Sequence, residues 1–364
     1  MENGTNIYET YIESMPFNKA AVFSDGTEYY RNPPEPMPYE SVKIRIRIAH
    51  QKISGIFLCT GEKRFSMSLE KTTEHFDFYI AELHLANENA SYYFLIQFGE
   101  ETYYYTRNGV EPEYHAEYDF EIIPGYTTPD WAKGAIFYQI FVDRFCNGDP
   151  SNDVLDREYN YIGEGTHRVV DWNKYPSTMD VRAFYGGDLA GVMKKLDYLQ
   201  ELGVEVIYLN PIFVSPSNHK YDIQDYDYVD PHYGVIVKDG GECLPEGEKS
   251  NKKAERYITR VASKENLEAS NAYFITLVEE IHRRGMKVIL DGVFNHCGSF
   301  NKWLDREGIY EEAEGYEKGA YVSADSPYRT FFQFHRPDEG EWPYNDSYDG
   351  WWGHDTLPKL NYEE

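Results

Sequence analysis

Apolar and polar residues alternate one by one over residues 41–48, in the N-terminal third of the chain. The apolar positions are Val42, Ile44, Ile46 and Ile48, and the polar positions between them are Lys43, Arg45 and Arg47. A period of two predicts a β-strand with one buried face and one wet face. Further β-rich runs, separated by glycine and asparagine turns, occupy residues 75–85, 91–98 and 101–106. Short strands at this spacing predict a β-sandwich domain over residues 1–124.

The pattern changes after a linker, residues 125–133, in which proline and glycine interrupt the strands. Apolar runs bounded by turn signals, which predict buried parallel strands, then occupy residues 136–145, 204–213 and 287–296. Between the first two runs, one face of a helical pattern carries Leu189, Val192, Leu196 and Leu199. A second helical stretch, residues 272–284, ends at Gly285. The order predicts three βα units with parallel strands over residues 134–296.

Polar residues gather where the third apolar run ends. Asp291, Asn295 and His296 lie at this point of the sequence. Barrels and open α/β sheets carry their chemistry at the carboxyl ends of the strands, so these side chains are candidates for a site. An ordinary strand with a polar cap explains Asp291 and Asn295 equally well.

The loop after the first run is rich in side-chain oxygens. Asn147, Asp149, Asn152 and Asp153 lie within seven residues of one another. Hard cations need several oxygen ligands, so this loop is a candidate cation site, although it does not match the EF-hand pattern. The alternative is an Asx-rich turn whose side chains bond their own backbone. Asp188 stands at a predicted helix start, where a carboxylate caps free N–H groups or supplies a further metal ligand.

Two long segments interrupt the strand and helix order. An insertion covers about residues 234–270, and its glycine- and lysine-rich part, residues 238–251, predicts a mobile surface segment. Residues 297–364 are rich in aromatic and acidic residues and form an excursion after the third run. A long excursion of this kind usually carries function.

Composition narrows the classes of partner. The formal charge of −27 argues against nucleic acid and membrane surfaces as partners, and it is compatible with a neutral substrate or a bound cation. Aromatic residues make up 16% of the chain, which suits surfaces that stack on sugars and equally suits a tyrosine-rich β-domain. The sequence has neither the features of a signal peptide nor a run of 18 apolar residues, so we expect a cytoplasmic protein.

Four stretches resemble the α-amylase family of glycoside hydrolases, in particular its neopullulanase, cyclomaltodextrinase and maltogenic amylase branch. They are Asn-Gly-Asp-Pro-Ser-Asn-Asp at 147–153 after the first apolar run, His-Lys-Tyr-Asp at 219–222, Asp-Gly-Val-Phe-Asn-His at 291–296, and Leu-Pro-Lys-Leu-Asn at 357–361. Their order matches the family. The resemblance implies the first three strands of a (β/α)8 TIM barrel, an excursion domain B over residues 297–364, and a starch-binding-like module in the β-sandwich.

The resemblance also implies roles for individual residues. Asp291 and His296 would bond hydroxyls of the sugar at the cleavage point, and Tyr221 would stack on that sugar with His219 beside it. One calcium ion would be held by Asn147, Asp149, Asn152, Asp153, the Gly186 carbonyl and Asp188. Trp351 and Trp352 are candidate cleft walls, with core packing as an equal interpretation. The implied partners are an α-glucan oligosaccharide or a cyclodextrin, and a second copy of the chain in a homodimer formed through the N-terminal domain.

The family's catalytic carboxylates have no counterpart in these residues. Retaining hydrolysis uses a carboxylate nucleophile and a carboxylic acid about 5 Å apart. In the family the nucleophile belongs to a Gly-x-Arg-x-Asp motif, which this sequence lacks. We therefore expect the front part of a longer enzyme, with an incomplete barrel that folds poorly and does not hydrolyse glucans by itself. The alternatives are a glucan-binding protein without chemistry and a calcium-dependent structural or assembly protein.

Overall fold

The computed structural model describes residues 15–178, 180–335 and 348–363. It separates into two compact units, the first ending at Lys133 and the second beginning at Gly134. None of the helices in the described parts of the chain is long and apolar enough to cross a membrane.

The first unit is built from two antiparallel sheets. Its strands are β1 (Arg31–Asn32), β2 (Ser41–Ala49), β3 (Gly55–Thr60), β4 (Lys63–Ser66), β5 (Ser68–Thr72), β6 (Phe76–His84), β7 (Ala90–Phe98), β8 (Glu101–Thr106), β9 (Gly109–Glu111) and β10 (Phe120–Ile122). One sheet has the order β1-β2-β6-β5, and the other has the order β4-β3-β7-β8-β9 with β10 paired to β7.

The core of this unit follows from the alternation in the sequence. The predicted apolar face of β2, from Val42 to Ile48, is fully buried. It shares a core with Leu58 of β3 and Phe94 of β7, which belong to the other sheet. Because successive side chains of a strand point to opposite faces, the polar residues of β2 stay at the surface.

The second unit is organised by a three-stranded parallel sheet. Its strands are β11 (Phe137–Ile140), β16 (Val206–Leu209) and β19 (Lys287–Leu290), in the order β11-β16-β19. The register pairs Ile140 with Leu209 and Leu209 with Leu290, so the three strands end side by side. Residues that follow these strands therefore meet at one edge of the sheet.

In the described residues, short strands and four α-helices connect the strands of this sheet. The strands are β12 (Asn160–Tyr161), β13 (Glu164–Gly165), β14 (His167–Arg168), β15 (Ala183–Phe184), β17 (Phe213–Val214) and β18 (Asp225–Val229). The helices are α1 (Leu189–Lys194), α2 (Leu196–Glu201), α3 (Glu255–Ala262) and α4 (Lys264–Arg283). The predicted single helix after Gly187 is thus two short helices, and its four apolar positions are all fully buried.

Helix α4 begins at Lys264, eight residues before the position that periodicity predicts. Asn266 and Ser270 occupy its buried face, where the apolar pattern would require hydrophobic residues. The Asn266 side chain accepts the backbone N–H groups of Val237 and Lys238, at 2.8 Å in both cases. Buried polar residues that bind a neighbouring backbone interrupt the apolar pattern of a helix, so hydrophobic periodicity does not detect that part of the helix.

The predicted surface segment over residues 238–251 is exposed along most of its length, but two of its residues are anchored in the interior. Leu244 is 2% exposed in a hydrophobic core that also contains Tyr257 and Val261 of α3. Asn251 is buried as well, and it exchanges hydrogen bonds of 2.8 and 3.0 Å with the backbone of Asn160. These contacts fix a segment whose polar composition alone is typical of a solvated loop.

Candidate active site

The loop after β17 carries two of the candidate residues, His219 and Tyr221. Ser217 organises this loop, because its hydroxyl accepts the Lys220 N–H at 3.0 Å and donates to Asp222. The backbone N–H of Tyr221 donates to His219 Nδ1 at 3.1 Å, which places the proton of a neutral His219 ring on Nε2. Lys220, between these two residues, has a φ of 58°, a left-handed conformation that is uncommon outside glycine.

Tyr221 meets the third strand at the edge of the sheet. Its hydroxyl donates to Asp291 Oδ2 at 2.8 Å, although the two residues are 70 positions apart in the chain. Burial, together with the hydrogen bond to Asp291, raises the pKa of Tyr221, so its hydroxyl stays protonated. Asp291 directly follows β19 and is half-buried, which leaves the carboxylate open to a ligand hydroxyl.

His296 is held on the other side of Tyr221. Its Nε2–H donates to the Tyr221 carbonyl at 3.0 Å, and its ring stacks on Trp351 with centroids 6.0 Å apart. Burial lowers the pKa of His296, and burial also lowers the pKa of His219. Both rings are therefore neutral near pH 7. The structure brings all four predicted sugar-binding residues into one cluster.

The predicted aromatic walls differ from one another in their surroundings. Trp351 packs on His296, whereas the Trp352 side chain is 84% exposed. An aromatic groove of about 600 Å³ lies beside Phe294, which belongs to the Asp-Gly-Val-Phe-Asn-His motif after β19. It is lined by Tyr226, Phe294, Trp303, Thr330, Phe331, Leu360, Asn361 and Tyr362. Sequence reasoning did not identify Trp303 or Phe331, and the aromatic richness of residues 297–364 was their only signal.

The oxygen-rich loop after β11 folds back on itself beside Gly186. Asn147 Nδ2 donates to Asp153 Oδ1 at 2.8 Å, and the other carboxylate oxygen of Asp153 pairs with Arg168 at 2.5 Å. Gly186, with a φ of 79°, lies so close that a Cβ atom on it would be 2.3 Å from Asp153 Oδ1. The close approach explains why this position needs glycine.

The remaining predicted ligands have other partners. Asp188 caps α1 through the Gly191 N–H at 2.6 Å, and it also accepts the N–H groups of Gly148 and Asp149 at 2.8 and 2.7 Å. The exposed Asp149 side chain bonds Ser151, as expected for an Asx turn. Among the described residues, no group of three His, Cys, Asp or Glu side chains could hold a metal ion. Amide and carbonyl oxygens, which calcium also uses, are outside that group.

Two family models match the chain. The model described as alpha amylase, catalytic domain, matches residues 139–239 and 269–363, which is more than half of the sequence. The model described as alpha amylase, N-terminal ig-like domain, matches residues 34–123. The chain therefore belongs to the alpha-amylase family, and the predicted resemblance is confirmed.

Individual relatives agree with the family assignment. Neopullulanase 2 of Thermoactinomyces vulgaris is 38% identical over 235 residues, which are 62% of this chain and 31% of that protein. Cyclomaltodextrinase of Thermoanaerobacter pseudethanolicus is 35% identical over 296 residues, 77% of this chain and 42% of that protein. Intracellular maltogenic amylase of Bacillus subtilis is 32% identical over 302 residues, 79% of this chain and 40% of that protein. The chain thus spans less than half the length of these relatives.

Proposed function

We propose that this chain provides the sugar-binding part of the active site of an α-glucan-cleaving glycoside hydrolase. The observation that carries the proposal is the cluster of Tyr221, Asp291 and His296 at the carboxyl edge of the sheet, in a chain of the alpha-amylase family. The names neopullulanase and cyclomaltodextrinase among its relatives support pullulan, starch oligosaccharides or cyclodextrins as substrates. The name intracellular maltogenic amylase supports a cytoplasmic location.

The residues of the cluster have distinct tasks in this proposal. The Asp291 carboxylate accepts two hydroxyls of one glucose unit, since a carboxylate has lone pairs left after the bond from Tyr221. The Tyr221 ring, half-buried and fixed by its hydroxyl, stacks on the apolar face of that unit. His296 fixes the Tyr221 backbone through Nε2.

Binding and cleavage are separate expectations for these 364 residues. Retaining hydrolysis requires a pair of carboxyl groups about 5 Å apart. Asp291 is one acceptor carboxylate, and the Gly-x-Arg-x-Asp motif of the family's nucleophile is absent from the sequence. We therefore expect these 364 residues to bind α-glucans without cleaving them.

Calcium is the cation that the loop beside Gly186 would hold. The amide oxygens of Asn147 and Asn152 are buried and have no hydrogen-bond partner in the described part of the chain. The Asp153 carboxylate and the Gly186 backbone lie next to Asn147. Oxygen donors of this kind suit Ca²⁺. The ion would hold the loop together beside the sheet edge.

The experiment for the proposed function is calorimetric titration of the whole chain with β-cyclodextrin and with maltotriose, combined with an assay for reducing sugar. We expect binding, no release of sugar, and a loss of affinity of at least about tenfold in Asp291→Asn, since a bond to a charged group contributes about 1.5–3 kcal/mol. The matched control is Asp197→Asn, which alters an exposed carboxylate of α2. Equal affinities of wild type and Asp291→Asn would contradict the assignment, and release of sugar would show that other carboxylates act.

A further inference from the structure

Arg260 of helix α3 is buried among carboxylates. It is 2% exposed, its Nη1 donates to Glu158 Oε2 at 2.9 Å, and its Nε and Nη2 bind Asp239 at 3.0 and 2.9 Å. Arg260 lies in residues 240–268, the segment that the catalytic-domain model leaves unmatched. Arg260 therefore belongs to the insertion and not to the part of the chain that the family model matches.

A line of buried ions continues from Arg260 towards the candidate active site. Glu158 Oε1 lies 2.7 Å from His232 Nε2, and His232 Nδ1 lies 2.8 Å from Asp230 Oδ1. Asp230 Oδ2 accepts the Lys220 ammonium at 2.6 Å. None of these four residues is more than 5% exposed. Positive and negative groups alternate along the line, so every buried charge in it lies next to an opposite charge.

His232 can complete the line only as an imidazolium. Both ring nitrogens face carboxylates, and only the charged ring donates from both. Burial favours the neutral ring, yet Glu158 and Asp230 raise the pKa of His232. Burial likewise opposes ionisation of Asp230, and Lys220 with His232 nevertheless holds the pKa of Asp230 below its ordinary value. The ring of Tyr257 stacks on the His232 ring, with the two centroids 6.0 Å apart. Only 5% of His232 is exposed to water.

The line ends inside the loop that presents Tyr221. Lys220 lies between His219 and Tyr221, adopts a φ of 58°, and anchors its ammonium on Asp230 and on the Ser215 carbonyl at 3.2 Å. A lysine in this backbone conformation needs such contacts to hold it there. The Tyr221 that follows directs its carbonyl to His296 and its hydroxyl to Asp291.

We propose that Arg260 is a positioning residue for the sugar-binding cluster. Through Glu158, His232, Asp230 and Lys220, it fixes the backbone at Lys220 and thereby the orientation of Tyr221 over Asp291. The consequence for sugar affinity rests on the proposed function, whereas the geometric coupling does not. The insertion thus acts on the site from a distance, without touching the ligand.

The test compares Arg260→Met with Arg256→Met in the whole chain. Arg256 lies one turn earlier on α3 and pairs with the same Asp239 at 3.2 Å. Its other hydrogen bond goes to the Gly241 carbonyl, and among the described residues it does not bind Glu158. In protein labelled with ¹⁵N-histidine, the His296 ring resonance, assigned with His296→Gln, reports the bond to the Tyr221 carbonyl without any ligand. We expect Arg260→Met to shift or broaden this resonance and to weaken β-cyclodextrin binding at least fivefold, and Arg256→Met to change neither.

The two readouts separate failure of this inference from failure of the proposed function. A shifted His296 resonance supports the positioning role even if the wild-type chain binds no β-cyclodextrin, an outcome that would reject only the proposed function. A folded Arg260→Met protein with an unchanged His296 resonance overturns the inference. If Arg260→Met does not fold, Glu158→Gln interrupts the line at the next link while keeping its shape, and the same criterion for His296 decides.

Discussion

Asn147 and Asn152 each direct an amide nitrogen to a carboxylate and leave the amide oxygen buried without a partner among the described residues. A buried amide oxygen without a hydrogen bond costs about 1–3 kcal/mol, so a pair of them in one loop needs an explanation. A cation would be coordinated by both amide oxygens, and the Asp153 carboxylate would balance its charge. The Asx-turn interpretation explains Asp149 but neither asparagine.

At this scale we predict that calcium stabilises the chain. The midpoint of thermal unfolding should rise as Ca²⁺ is added, because an ion that binds only the folded state contributes about 2.7 kcal/mol at a concentration of 100 times its Kd. Asp153→Asn should lose most of this rise. Asp171→Asn, which alters another Asx turn in an exposed loop, should keep it.

The measurement is differential scanning calorimetry of the three proteins after chelation, at increasing Ca²⁺. If the midpoint of thermal unfolding of the wild-type protein is the same at every Ca²⁺ concentration, the calcium proposal is wrong and the loop is only an Asx-rich turn. An equal rise in all three proteins would place the ion elsewhere.

At the scale of elements, two residues with left-handed backbone conformations shape the segments that follow the parallel strands. The parallel strands bring their ends together, but Lys220 and Asp305 shape the segments that follow, and both have a positive φ. Asp305, 1% exposed, accepts the N–H groups of Ile309 and Tyr310 at 2.8 and 3.2 Å. It therefore closes a turn in the segment after the third strand.

The turn at Asp305 should make stability depend on pH. Burial raises the pKa of Asp305 from 3.8 to about 8, despite the two N–H groups that lower it. Between these two values the unfolded chain loses the proton and the folded chain keeps it. The free energy of unfolding therefore decreases as pH rises from about 4 to about 8, by at most about 6 kcal/mol, because each unit of pKa difference corresponds to about 1.4 kcal/mol.

Asp305→Asn removes the charge, and asparagine is tolerated at a φ of 52°. We expect the free energy of unfolding of this variant to lack the decrease that Asp305 causes. The variant should be as stable as the wild type near pH 4 and more stable than the wild type at pH 8. Urea denaturation at a series of pH values measures the difference. The control is Asp325→Asn, an exposed carboxylate in the same segment. Parallel curves for wild type and Asp305→Asn would show that Asp305 is ionised in the folded protein.

At the scale of the molecule, the chain consists of one unit matched by the N-terminal ig-like model and a second unit matched by the catalytic-domain model. In the second unit β11 and β19 are the outer strands of the parallel sheet, and Leu290 of β19 and Phe294 after it expose 38% and 62% of their surface. The first unit exposes Met37 by 55% and Tyr39 by 78%. These apolar side chains remain exposed in the described structure, so another protein surface can cover them.

We predict that the chain forms a homodimer through the first unit. Light scattering coupled to size-exclusion chromatography should then give twice the mass of 42.6 kDa. The mass should persist on dilution to low micromolar concentration and in added salt, because apolar contacts are not screened. A mass of one chain at every concentration would reject the dimer, and a mass that increases steadily with concentration would indicate open-ended association instead.

The sequence by itself determined the strands and the family. Alternation placed the buried face of β2, because burial of one face imposes a period of two that a short window contains. Apolar runs placed the three parallel strands, but the prediction that all three are buried is wrong: β11 buries only Ile140, and β19 buries no residue. The order of four motifs determined the family, since each motif is local in the chain.

Only the tertiary structure decided how those local pieces act together. The hydroxyl of Tyr221 on Asp291, the start of α4 at Lys264 and the pairing of Arg260 with Glu158 all depend on polar partners far away in the sequence. A buried polar residue looks like a surface residue in any local window. Its partner, and therefore its role, is determined only when folding brings the two together and removes the water between them.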